Sequence, residues 1–142
     1  MTSAKLVVRG VFVEREYCRE NHRWTGTGVG QVSGTYLTYL RRKAKERDLS
    51  FEVTAQQLWD LFQKQEGKCA LSGVELFLST EIDKNNNVKR ENHTASLDRI
   101  DNNKPYTLDN VQWIHKILNH MRRQYSVEDY IEWCKKVAAY ND

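Results

Sequence analysis

Residues 95–123, ASLDRIDNNKPYTLDNVQWIHKILNHMRR, limit the folds open to this chain more than any other stretch. They begin as a short β-type run and pass through a polar loop holding Pro105, the only proline, where it cannot damage a helix interior. They end in a segment whose Ile114, Ile117, Leu118 and Met121 recur at helical spacing. That spacing predicts a strand over residues 94–100, a loop over 101–109 and a helix over 111–123. The four apolar side chains would face the core, with His115, Asn119 and Arg122 on the neighbouring stripe and His120 pointing elsewhere. Positions i and i+4 share a helical face, so the His115 imidazole and the Asn119 amide oxygen can point at one ion while Asp98 adds charge from the facing strand. Asn110 has two architectural readings. It either holds the loop shut through side-chain bonds to backbone groups or caps the helix after it.

With Asp98, Asn110 and Asn119 placed, the segment resembles an HNH endonuclease of the ββα-metal superfamily, in the small form common in phage genomes and mobile elements. Asp98 matches that family's metal-binding aspartate, Asn110 its middle asparagine and Asn119 its helical metal ligand, while Arg99 stands where the family has its general-base histidine. Residues 43–76 are similar to the segment before the motif in such enzymes, and residues 126–137 to the segment after it. The resemblance implies an α+β fold: a ββα-metal core at about residues 94–123, flanking helices and a short N-terminal β segment. Residues 1–34 would form an N-terminal strand and Gly-rich linker, and residues 35–142 the nuclease domain.

The implied activity is hydrolysis of phosphodiester bonds in double-stranded DNA, leaving 5′-phosphate and 3′-hydroxyl ends. One Mg²⁺ or Mn²⁺ would be held by Asp98 and Asn119, with His115 as third ligand or nearby base, since hard oxygen donors and retained waters suit these ions. The catalytic set is then His115, Arg99, Asp98 and Asn110. Arg99 cannot act as a base because guanidinium stays protonated, but it is suited to gripping a phosphate with two prongs. His115 is the first choice for base, Asp101 the second and His93 the third. The alternative reading is a DNA-binding module that keeps the fold without cleavage, and Arg99 is its main support. A homodimer would imply a palindromic recognition site.

The rest of the chain is consistent with this but less specific. A length of 142 residues suits one core, and 39% hydrophobic content with a mean hydropathy of −0.75 excludes both membrane and disordered classes. No secretory signal opens the chain, and Cys18, Cys69 and Cys134 are odd in number and widely spaced, so a disulfide framework is not expected and a cytoplasmic setting is. Cys18 and His22 make at most half a metal site, and no structural zinc is expected. The net charge of +3 is mild, but residues 41–47, RRKAKER, concentrate cations on a helix that should start after Ser33 with Tyr36, Leu37, Leu40 and Ala44 as its apolar stripe. Arg41, Arg42, Lys43, Lys45 and Arg47, joined by Arg122 and Arg123, are the candidate DNA contacts, binding phosphates without base preference.

Residues 5–14 read as a strand, and residues 24–34 as a mobile Gly-rich loop whose GTGVG lacks the flanking elements of a dinucleotide fingerprint. Thr54 and Gln57 form a capping box opening a helix with Leu58, Trp59, Leu61 and Phe62, which Gly67 stops. Residues 69–78 predict a hairpin turning at Ser72 and Gly73, and residues 80–92 an exposed loop. Ser126 should cap a last helix that packs Val127, Tyr130, Ile131, Cys134, Val137 and Ala138 into the core, with Cys69 buried as well.

Overall fold

The structure is a computed structural model that describes residues 28–142 apart from 82, 86 and 90, together with the backbone of residues 5–8 and 11–14. The fold is mixed α and β. Strands β1 (Lys5–Val8) and β2 (Val11–Glu14) form an antiparallel pair, where a single strand was predicted across Gly10. Helices α1 (Gly34–Glu46) and α2 (Ala55–Lys64) come next, then strands β3 (Ala95–Arg99) and β4 (Val111–His115), which pair antiparallel with Asp98 opposite Gln112. A short helix α3 (Lys116–Arg122) continues directly from β4, and α4 (Val127–Asn141) completes the chain. No helix among the described residues is long and apolar enough to cross a membrane.

Local signals place α1 and α2 as expected. Ser33 caps α1 through a 3.0 Å bond from the Tyr36 amide, and Tyr36, Leu37 and Ala44 are buried. The Thr54–Gln57 capping box is complete, and Leu58, Trp59 and Phe62 point inward. Gly67 takes a positive φ of +66° just past the helix, the conformation that glycine supplies without steric cost. Trp113 on β4 is the centre of the core. Its indole donates to the Leu58 carbonyl at 3.0 Å, and the Phe62 ring meets it edge-on at 6.0 Å.

The Gly-rich segment is not a linker where it is described. Val29 and Val32 form a bridge, and Val32 and Ser33 are fully buried, so the packed unit already includes residues 29–33. Gly30 has φ +58°, and a Cβ there would lie 2.3 Å from atoms of the Trp59 indole. Gly30→Ala is therefore expected to cost about 2–3 kcal/mol, through overpacking and left-handed strain together, read as a lowered urea midpoint at unchanged slope. An unchanged midpoint would mean that the indole moves aside freely.

The largest correction is at residues 111–123, which are not one helix. Residues 111–115 form β4, with the same alternation of burial as β3, because Val111 and Trp113 turn to the core and both edges of the strand have partners. One edge is β3. On the other, the Gln65 side chain donates to the Trp113 carbonyl and accepts from its amide, both at 2.9 Å, as a neighbouring strand would. The change of period at His115 breaks the predicted stripe. Ile114 is buried and Leu118 packs against the core, but Ile117 and Met121 face outward.

The last helix corrects a second expectation. Ser126 caps α4 as predicted, yet no residue of α4 is buried and Cys134 is exposed. Amphipathic spacing marks an apolar face and does not say what covers it. Cys69 is buried as expected, its sulfur accepting from the amides of Ser72 and His115. The turn at residues 72–73 is present, but its strands reduce to one bridge, Lys68 with Glu75.

A candidate acidic and basic cleft

β3 and β4 set two polar side chains beside each other in register. The Gln112 amide donates to one Asp98 carboxylate oxygen at 3.0 Å. The other oxygen takes a 2.5 Å ion-paired bond from Arg122, whose guanidinium is 0% exposed while Asp98 is 4% exposed. Arg122 also donates to the carbonyls of Arg99 at 2.6 Å and Tyr125 at 2.8 Å, joining the end of β3, α3 and the turn into α4. Arg122 was expected on an exposed basic surface. It is instead the buried counter-charge of Asp98, drawn inward because a buried carboxylate needs a charged or hydrogen-bonding partner.

Asn110 closes the loop between the strands, not as a helix cap but as a tie. Its oxygen accepts from the Asp101 amide at 2.8 Å, and its NH₂ donates to the carbonyls of Asp101 and Pro105, each at 3.0 Å. Arg99 braces the same loop through one guanidinium nitrogen, bonded to the carbonyls of Asn102 at 2.7 Å and Lys104 at 2.9 Å. Tyr106 is covered by two cations, Arg99 and Arg47, at 5.5 and 5.8 Å from its ring centre, and Arg47 also donates to its hydroxyl.

These elements enclose an open cleft of about 1010 Å³ between α1 and α3, with β3 and its loop as the floor. Asp98, Arg99, Asn119 and His120 line it, flanked by Lys43 and Arg47 from α1 and by Lys116 and Arg123 around α3. Asn119 donates to the Ser96 hydroxyl at 2.7 Å, on the same face of β3 as Asp98, and its amide oxygen is the atom left for a ligand.

Several predicted site residues lie elsewhere. His115 caps α3, its Nδ1 accepting from the Ile117 amide at 3.1 Å, and does not line the cleft. His93 is buried beside Tyr36 and accepts from the Ser79 amide, and Asp101 accepts from Asn103 within the loop. Of the predicted cations Lys43, Arg47 and Arg123 line the cleft, whereas Arg41, Arg42 and Lys45 are exposed without lining it. Arg42 and Lys43 both reach Glu46 at 3.3 Å. Sequence reading missed His120 and Lys116. Their spacing with Asn119 and Arg123 (i, i+3, i+4, i+7) marks one helical face once α3 is known to start at residue 116.

The donor set decides which cation could fit. Among the described residues, no three His, Cys, Asp or Glu side chains come together as a metal-holding group, and the Cys18 and His22 half site lies outside those residues. Asp98 and Asn119 both line the cleft, Asp98 with its carboxylate 4% exposed and each oxygen already accepting a bond, from Gln112 and from Arg122. Two hard oxygens suit an ion that keeps most of its waters and takes its remaining ligands from a phosphate, and ionised carboxylate oxygens retain acceptor capacity beyond one bond each. Comparison with known proteins leaves the cleft to be read from its own chemistry, since no family model, no curated protein and no solved structure matches this chain.

Proposed function

We propose that this chain is a metal-dependent DNA endonuclease of the HNH, ββα-metal type, with the cleft between α1 and α3 as its active site. The observation that carries the reading is the convergence of Asp98, Asn119 and His120 in a cleft edged by Lys43, Arg47, Lys116 and Arg123. The order strand, loop tied by an asparagine, strand, helix supports it as well.

In this reading the cations on the two walls neutralise phosphates on either side of the bond to be cut. Asp98 and Asn119 would hold one Mg²⁺ or Mn²⁺, which supplies Lewis-acid stabilisation of the charge that builds on the phosphate. His120, the histidine that lines the cleft, takes the proton of the attacking water, and the strand parts into 5′-phosphate and 3′-hydroxyl ends. Arg99 adds positive charge at the floor while keeping the loop in shape. A second reading, a DNA-binding module without cleavage, is favoured by Asp98, both of whose oxygens are already bonded.

Incubation of supercoiled plasmid with the protein and Mg²⁺, Mn²⁺ or EDTA separates the two. The nuclease reading expects nicked or linear DNA with ligatable ends in the metal lanes alone. Binding without cleavage in every lane would leave the module reading standing. The position of the walls makes a further expectation. Lys43→Ala with Arg47→Ala should shallow the dependence of DNA affinity on salt by about two phosphate contacts, while Arg41→Ala with Lys45→Ala should change it less. Equal slopes for the two double variants, read by fluorescence anisotropy across a salt series, would detach DNA binding from this cleft.

A further inference from the structure

We propose that a recess beside the cleft seats one unpaired pyrimidine base, so that the DNA taken is one with a bulged or single-stranded nucleotide next to the phosphate to be cut. This rests on the reading of the cleft as a nuclease site and names the class of DNA that site takes.

The recess has a volume of about 120 Å³. Tyr36, Tyr39, Ser96 and Lys116 line both it and the cleft, so the two adjoin, whereas the buried His93 and Ala95 line the recess alone. Its walls are aromatic and held from behind. Tyr36 is buried, stacked on Trp113 of the core at 6.3 Å and on Tyr39 at 6.0 Å with 19° between the ring planes. The His93 imidazole tilts against Tyr36 at 4.7 Å and is fixed by the bond it accepts from the Ser79 amide at 3.0 Å. A flat ligand entering here finds its ring partners already in place, which spares the cost of ordering them.

Size, lining and position select the occupant. An apolar cavity of ~150 Å³ encloses one benzene molecule, so 120 Å³ seats a single six-membered ring and leaves the second ring of a purine outside. Aromatic walls suit the face of a base, which stacks on such rings in single-stranded nucleic acid. The Ser96 hydroxyl accepts from Asn119 at 2.7 Å and keeps its own proton for a carbonyl oxygen of the base. Ser96 also lies two residues from Asp98 on the same face of β3, roughly 7 Å along the strand, and Lys116 brings a cation between recess and cleft. A base seated there belongs to the nucleotide next to a phosphate at Asn119. A paired base reaches the recess only by leaving its stack, which costs least where it has no partner to begin with.

The test is the affinity of the intact chain, by fluorescence anisotropy in EDTA, for four labelled duplexes: fully paired, and with one extra thymine, adenine or abasic nucleotide. The thymine bulge should bind about tenfold or more tighter than the paired and abasic duplexes, the size of effect of one stacked base, and tighter than the adenine bulge. Tyr39→Leu should remove that preference and Tyr39→Phe should keep it. Val88→Phe, which puts a ring into the recess from its own lining, should also remove it. Unchanged affinity for the paired duplex establishes that each variant is folded. In Mg²⁺ the wild-type cut should fall at a phosphate next to the extra thymine. A thymine bulge bound no better than the abasic or adenine bulge would overturn the proposal, because a bend in the DNA would then be what is recognised. So would a preference that survives both Tyr39→Leu and Val88→Phe. Cleavage of paired plasmid with no preference for the bulge would sink the recess and leave the nuclease reading standing, whereas the preference in EDTA with no cleavage in Mg²⁺ would uphold the recess and sink that reading.

Discussion

Asp98→Ala is expected to lower stability by about 3–5 kcal/mol, because it leaves the Arg122 guanidinium buried without its counter-charge. For a domain of this size that is a fall in melting temperature of about 10–20 °C, measurable by thermal circular dichroism. Asp98→Asn should cost less, since the amide oxygen can still accept from Arg122 and the side chain still fills its site. A melting temperature for Asp98→Ala within about 2 °C of wild type would show that Arg122 reaches water when freed, and the pair would lose its structural role. The expectation also changes how activity data are read. The family resemblance reads Asp98 as a metal ligand, but its burial makes any loss of cleavage in Asp98→Ala ambiguous. Asn119 is the cleaner probe, because its side chain ends at the Ser96 hydroxyl in a part-buried position.

His120→Ala should reduce metal-dependent cleavage by about 10²–10⁴-fold, the usual contribution of a general base. Asn119→Ala should abolish cleavage at low metal concentration and recover part of it as Mg²⁺ is raised, the signature of a weakened ligand. His115→Ala should cut DNA at close to the wild-type rate and lose about 1 kcal/mol of stability, as befits a helix cap. If instead His115→Ala is the inactive variant and His120→Ala cuts normally, the proton is not taken from this cleft face. The base must then be sought at His115 itself.

The order of elements was legible in the sequence where local chemistry decides it. Ser33, Thr54 with Gln57, and Ser126 each start a helix through a side-chain bond to a backbone amide three residues on, which depends only on neighbours. Asn110 was legible as an architectural residue, with loop tie and helix cap left open, and the structure shows the tie because its amide satisfies several loop groups at once. The segment at residues 111–115 was not, because Val111, Gln112, Trp113, Ile114 and His115 fit either period. The choice is made by Gln65, 48 residues away, and by pairing with β3. That one change of period accounts for the misplacement of His115, the outward turn of Ile117 and Met121, and the omission of His120. Arg122 was misread for a different reason. A cation next to another cation looks like a surface pair, and only the fold reveals that Asp98 is waiting for it.

β4 runs into α3 with no residue between them, His115 ending the strand and capping the helix at once. A helix advances about 100° per residue, so one residue inserted or deleted at this junction would swing Asn119 and His120 away from the cleft and turn Arg122 out of its pocket. Connecting loops ordinarily absorb such changes of length, and here there is no loop to do so. The spacing between Trp113 and Asn119 is therefore frozen in number. Descendants of this sequence must keep the count from strand to helix.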